Sequence, residues 1–468
     1  MKKLVYAAAI AIVLTTGFGL RHFMVNTDEF EYLVTGYLMS VGKRPYIDFF
    51  THHWPMPYVW SAAMAPFFTQ GSPHQELAVF RSGILMLYAG MAVTLFLINK
   101  RDRTRQAMTL WLMVLPASMA IYHGQMALTD TFLAILISWL FWLTVPVTLG
   151  WEESSAGRDV TAVAVAAAMV WTHPGSVAVA IIPALISGKK IRTIVITGAA
   201  LVIPLAVLAA GGMLMPFWKQ ALVFNQEVYA KFYPERRNNL TMSQQTWSDF
   251  WRNEAKLFTN LSWPVGVSQW LWHAGFWGLG IYAISKKNHR LVGIWLALFL
   301  TIHSREVKFF PGQMFNYALY PAVLTGTAAL AIGRPVVKVA LVIVIIASGV
   351  AAWPIFIQSA KPGYNYQVFW SDRVKLGEKV AKLTAKDETI LAYYPVFDVF
   401  FFSRRLPADL FWYWHPWIAA GEGNSQDRQQ TIERRIPAAI IPGQEKPSQA
   451  MVDNYEPVKD EPQIWIRK

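Results

Sequence analysis

The sequence contains no cysteine in 468 residues. A disulfide framework, a thiolate metal site and a cysteine nucleophile are all excluded. Charge is scarce as well: 15% of residues are Asp, Glu, Lys or Arg, whereas 54% are hydrophobic. That balance indicates a membrane protein before any motif is considered. The chain also lacks a phosphate-cradling Gly-rich loop, a Gly-x-Ser-x-Gly elbow and a dinucleotide fingerprint, so the common soluble nucleotide and hydrolase sites are missing. No repeat of solenoid period and no low-complexity run is present.

Apolar stretches of roughly the 20 residues that a spanning helix needs recur along most of the chain. Candidate spans are 4–20, 78–98, 107–122, 128–149, 159–172, 175–187, 192–211, 264–284, 291–304, 316–332 and 337–358. The 21 Trp and 18 Tyr suit interfacial belts. A net charge of +13 would fit nucleic acid if it lined one polar face. It falls instead in short clusters between apolar runs, so topology explains it and no nucleic-acid partner is expected.

With a cytoplasmic N-terminus, Lys100, Arg101, Arg103 and Arg105, then Lys189, Lys190 and Arg192, then Lys286, Lys287 and Arg290 all fall inside, as the positive-inside rule requires. The first apolar run, after Lys2 and Lys3, lacks a small-residue cleavage site and is expected to be a retained span. The expected fold is therefore a polytopic α-helical protein of the cell (plasma or inner) membrane with about eleven transmembrane helices. Its membrane domain covers 1–358, with external loops at 21–77 and 212–263, and a small external α/β domain covers 359–468. Within that last segment, Thr389–Phe402 and Ile432–Ile441 have the apolar character of short strands.

The first external loop opens Asn26-Thr27-Asp28-Glu29-Phe30-Glu31-Tyr32. Acidic residues here suit the positive end of a helix over 29–41, capped by Thr27 or Asp28. The loop continues Gly42-Lys43-Arg44-Pro45-Tyr46-Ile47-Asp48-Phe49-Phe50-Thr51-His52-His53-Trp54-Pro55, followed by an amphipathic or re-entrant helix to Phe68. Gly42 and Pro45 suit a helix end and a turn, and the aromatics suit the headgroup level. The same residue types also suit chemistry, since aromatic faces hold a sugar or prenyl chain and a neighbouring carboxylate accepts a hydroxyl proton.

Asp28-Glu29 just after the first span, with Gly-x-x-Pro-Tyr-x-Asp-Phe-Phe-x-x-His-x-Pro further on, resembles the GT-C superfamily of lipid-linked-sugar transferases. The branch most similar holds the protein O-mannosyltransferases and the aminoarabinose transferases of lipid A. The resemblance runs from residue 1 to about 358, more by layout than by identity. It implies an active site between the first external loop and the membrane, with Asp28 as the essential acid beside Glu29. It further implies Tyr46, Asp48, His52 and His53 in contact with sugar or acceptor.

Asp130, after Thr129 at the external end of the fourth span, matches an acidic position of that branch. A carboxylate there needs a wet cavity, a partner or a capping role, which Thr129 or Asp130 could serve. The turn His303-Ser304-Arg305-Glu306-Val307-Lys308-Phe309-Phe310-Pro311 places cations outside, where relatives bind the donor phosphate. Arg305 and Lys308 suit phosphate oxygens, although Phe309 and Phe310 stand where many relatives have Tyr. Arg81, one turn inside the second span, either joins them or snorkels.

The resemblance thus implies inverting transfer of a sugar from a polyprenyl-phosphate carrier to an acceptor glycan, lipid or protein, in contact with membrane lipid. Zinc-like spacing is missing, and a divalent cation stays open because relatives differ. The rival reading is a secondary transporter or flippase, which calls for inverted repeats and charges near the bilayer midplane. The acids and bases of interest gather at span ends instead.

Overall fold

The structure is a computed structural model that describes residues 2–23, 27–68, 73–122, 124–232, 265–303, 349–350, 352–362, 370–421 and 423–468. In chain order its principal helices are α1 (Lys2–Leu20), α2 (Thr27–Ser40), α3 (Met56–Met64), α4 (Pro73–Ile98), α5 (Asp102–Tyr122), α6 (Thr129–Thr148), α7 (Ala156–Thr172), α8 (Ile182–Ile186) and α9 (Lys190–Ala210). The chain divides into two units built from separated stretches. One takes Met1–Phe23, Phe80–Pro204 and Leu240–Tyr364; the other takes Met24–Val79, Leu205–Asn239 and Asn365–Lys468.

The first unit carries most of the apolar helical residues. Among the described residues, Lys3–Leu20, Gln75–Ile98, Thr129–Thr148 and Lys190–Ala210 are long and apolar enough to cross a membrane. Shorter apolar helices lie at Pro174–Ile186, Gly275–Ser285 and His289–Thr301. This is fewer than the eleven crossings expected, and 316–332 with the first part of 337–358 lies outside the described residues. The stretch 175–187 is not one span: a 3₁₀ run, Pro174–Ile181, gives way to the short α8. Pro174 and Pro183 lack the N–H that a continuous α-helix needs. At 1.5 Å per residue α9 is about 30 Å long, the thickness of a bilayer core. Its Ile191, Val195, Val202 and Ile203 are exposed, as lipid-facing side chains are.

Packing inside this unit follows from small residues and committed polar groups. A Cβ at Gly17 would sit 2.2 Å from Leu85 Cδ2 and 2.9 Å from Met119 Cε, so glycine permits α1 to approach α4 and α5. The Tyr6 hydroxyl donates to the Ala92 carbonyl at 2.8 Å. Beyond the end of α1, fully buried Arg81 donates through Nη1 to the carbonyls of Arg21 (2.8 Å) and Phe23 (2.9 Å). Both carbonyls lie just beyond the last turn of α1, where the guanidinium ties the chain down. Buried Arg158 likewise gathers Asn99 Oδ1, the Leu143 and Ile98 carbonyls and Glu152.

The second unit contains a five-stranded mixed sheet of order β2-β1-β3-β5-β4. Its strands are β1 (Thr389–Ala392), β2 (Leu406–Pro407), β3 (Ala439–Ile441), β4 (Tyr455–Val458) and β5 (Glu461–Arg467). β1 runs parallel to β2 and β3, whereas β5 is antiparallel to β3 and β4. Ile390, Leu391 and Ala392 are fully buried, as suits a central strand covered on both faces. The strand expected over Thr389–Phe402 stops at Ala392. Pro395 follows, unable to donate to a ladder, and Val399–Ser403 is helical. Ile432 likewise lies in the last turn of the helix Asn424–Glu433, leaving Ala439–Ile441 as the strand.

Candidate functional site

The motif-bearing part of the first loop, from Thr27 to Phe68, lies in the second unit. α2 carries the acidic sequence in its first turn, with Asp28 exposed and Glu29 buried. It closes through a Schellman arrangement: Gly42 takes φ +84, its N–H bonds the Met39 carbonyl at 3.0 Å, and the Lys43 N–H bonds the Leu38 carbonyl at 3.0 Å. The chain then tightens around Tyr46, a non-glycine residue at φ +66. That conformation costs on the order of 1–3 kcal/mol. It is held because the Tyr46 N–H bonds the Phe49 carbonyl at 3.1 Å and Gln220 Nε2 bonds the Tyr46 carbonyl at 2.7 Å.

From this turn the buried Tyr46 hydroxyl donates to the His53 carbonyl at 2.8 Å. His53 Nε2 lies 3.0 Å from Glu31 Oε2. The other oxygen of Glu31 accepts from the Tyr58 hydroxyl at 2.5 Å, and that hydroxyl also meets Thr51 Oγ1. Glu31 and Asp28 are three residues apart on α2, so they share one helix face. An acid, an imidazole and two phenols therefore converge. The Glu31 side chain is 12% exposed and that of His53 35%, so the cluster opens at the imidazole. Burial, reinforced by the Glu31 charge, pushes the Tyr46 and Tyr58 hydroxyls well above the ordinary tyrosine range, and both stay protonated donors.

Two other segments of the same unit clamp the loop. On one side, Gln220 Oε1 accepts the Thr51 N–H at 3.0 Å and Asn225 Nδ2 donates to the His52 carbonyl at 2.7 Å. Both come from a helical run whose π-turns, Trp218–Val223 and Asn225–Tyr229, shift side chains around the helix, as such turns do at functional places. On the other side, the Phe50 N–H bonds the Leu410 carbonyl at 2.7 Å, and Trp412 Nε1 bonds the Phe50 carbonyl at 3.0 Å. His52 Nδ1 meets the Tyr413 hydroxyl, and the His52 ring lies 5.1 Å from Tyr229 and 5.7 Å from Trp417. His415 stacks on Trp417 at 5.6 Å. Burial lowers its pKa to about 4, against a smaller opposing pull from Glu31, so this imidazole is neutral near pH 7.

The expected site residues thus separate. Asp28, Glu29, Tyr46, Asp48, His52 and His53 fall in one unit, while Asp130 and Arg81 belong to the other. Asp48 takes the Arg44 N–H at 2.7 Å and Arg44 Nε at 3.3 Å. Burial pushes its carboxyl up, but those bonds with the Arg44 and Lys43 charges outweigh it and hold the group below its usual range. Asp130 sits in the first turn of α6, where the cap residue is Leu128 without a side-chain bond, so neither Thr129 nor Asp130 is the N-cap. Arg305 and Lys308 lie outside the described residues. Glu31 was not singled out from sequence, although its spacing from Asp28 on a helix was a usable signal. Nothing local pointed to Tyr58, Gln220, Asn225 or Tyr413. Among the described residues no group of three or more His, Asp or Glu gathers to hold a metal ion.

No family model and no curated protein sequence matches the chain. Solved structures do. ArnT from Cupriavidus metallidurans in the apo state is similar at a TM-score of 0.57 and 13% identity, over 99% of this chain and 97% of that one. The same protein bound to undecaprenyl phosphate is similar at a TM-score of 0.57 and 14% identity over the same shares. At such identity the likeness concerns fold, and together with the apolar helices it makes this chain a helical membrane protein with an ArnT-like fold.

Proposed function

We propose that the chain is a membrane glycosyltransferase that moves a sugar from a polyprenyl-phosphate carrier to an acceptor glycan, lipid or protein on the external face, with inversion. The observation that carries this reading is the end-to-end likeness to a protein solved with undecaprenyl phosphate, joined to a first-loop site rich in acid, imidazole and aromatic groups. About eleven crossings, a cytoplasmic N-terminus and an external C-terminal segment belong to the same proposal.

In this mechanism Asp28, exposed in the first turn of α2, takes the proton of the acceptor hydroxyl or amine. The freed electron pair forms the bond to the anomeric carbon, and the bond from that carbon to the phosphate oxygen breaks on the opposite face. Polyprenyl phosphate leaves with its electron pair. Arg305 and Lys308 neutralise the charge developing there, the electrostatic contribution that is usually largest in such sites. Arg81 is a further candidate for the phosphate. Asp130 adds a further acidic group, and Tyr46, Asp48, His52 and His53 shape the sugar and acceptor surface.

The test is deletion of the gene followed by mass spectrometry of lipid-linked sugars and envelope glycans. A polyprenyl-phosphate sugar should accumulate while one glycan modification disappears. Unchanged pools of both would reject the transferase and favour a transporter.

A further inference from the structure

Glu31 is an acid that the mechanism above leaves without a task, and it is paired with His53. The Glu31 carboxylate is fixed at both oxygens, by the Tyr58 hydroxyl at 2.5 Å and by His53 Nε2 at 3.0 Å. His53 is held from its backbone as well, since its carbonyl accepts from Tyr46 at 2.8 Å. A structural ion pair need not open outward, yet the His53 side chain is 35% exposed over a carboxylate only 12% exposed. Glu31 also lies one turn along α2 from Asp28, on the same face.

Charge and donor inventory decide what such a place can hold. Glu31 carries a negative charge, the two phenols stay protonated, and no Lys or Arg side chain is ion-paired with Glu31 among the described residues. The nearby loop cation Arg44 is bound to Asp48. A phosphate oxygen would meet a like charge here, whereas a neutral group that both donates and accepts hydrogen bonds would be matched. We infer that the Glu31–His53 pair is the acceptor subsite, binding the hydroxyl-bearing end of the acceptor and turning its nucleophilic oxygen toward Asp28. This rests on the transferase reading and adds to it the place and chemical class of the acceptor. The pair binds and orients, and the proton itself passes to Asp28. Buried aromatic rings, Tyr46 against Tyr58 at 6.1 Å and against Phe217 at 5.4 Å, back this polar patch and keep its geometry rigid.

The test uses cells lacking the gene and carrying full-length variants, with polyprenyl-phosphate sugars and product measured by mass spectrometry. Binding of undecaprenyl phosphate is measured on the purified protein. Glu31→Gln and His53→Gln should each lower product formation by about tenfold or more, as expected for loss of a charge-assisted contact. The donor should accumulate, with undecaprenyl phosphate affinity kept within about twofold. Because the two side chains act as one unit, the double variant should be no worse than the poorer single one. Should Glu31→Gln fail to accumulate as folded protein, the more exposed His53→Gln carries the test alone. If the wild-type gene restores no transfer from a polyprenyl-phosphate sugar, the transferase reading fails. If it does, but both variants transfer normally, or the two effects simply add, or undecaprenyl phosphate binding is lost, the acceptor subsite is refuted.

Discussion

Replacing Asp28 with Asn separates catalysis from folding more cleanly than any other change in this chain. Asp28 is exposed in the first turn of the 14-residue α2. Asn keeps its size and local hydrogen bonding and removes one negative charge from the positive end of the helix. That charge is worth about 0.3–1 kcal/mol to a helix at most. A general base contributes about 10²- to 10⁴-fold, or roughly 2.7–5.5 kcal/mol of barrier. The kinetic cost therefore exceeds the structural one several-fold. Asp28→Asn should insert, reach normal abundance and bind undecaprenyl phosphate, yet transfer sugar at least about 10²-fold more slowly. The assay is product and donor quantification in deleted cells carrying the variant, with undecaprenyl phosphate binding on purified protein as the control. Near-normal transfer by Asp28→Asn, with loss in Asp48→Asn or Asp130→Asn, would move the base elsewhere. Silence of all these, and of Glu29→Gln, would refute the glycosyltransferase itself.

Arg305→Ala should weaken undecaprenyl phosphate binding by the 1.5–3 kcal/mol or so of a charge-assisted bond, and unchanged binding in a lipid titration would remove it from the phosphate site. Reporter fusions at residue 104 and at the C-terminus should report opposite sides of the membrane; the same side would overturn an odd number of crossings. His415 has a folded pKa near 4, below its ordinary 6.5, so its burial contributes stability that is present above about pH 6.5 and lost progressively as pH falls toward 4. His415→Gln should flatten that acid-side decline in a thermal-melting series, and an unchanged slope would assign it to other groups. Arg158→Met should destabilise by about 3–5 kcal/mol, because Glu152 would stay buried without its guanidinium partner; a melting temperature within a degree or two of the wild type would contradict this.

What the sequence determined by itself is what depends on neighbours within a few turns. Apolar runs long enough for a bilayer announce the membrane helices, since the required length is set by the lipid rather than by packing. Gly42 after an amphipathic stretch announces the end of α2, because a left-handed residue is needed there whatever surrounds it. The motif residues of the first loop were visible for the same local reason. The strand limits were less visible: Val399–Ser403 has strand-like composition but is helical, because Pro395 interrupts the ladder and packing of the buried segment decides the rest. Only the tertiary structure set His52 against Tyr413, 361 residues away, and Thr51 against Gln220, 169 residues away. It also selected Glu31 over its acidic neighbours, by bringing Tyr58 and His53 to its two oxygens. Helix periodicity says which face a carboxylate shares, but its partners are chosen by long-range packing, in which hydrogen bonds must be satisfied jointly as the chain is buried.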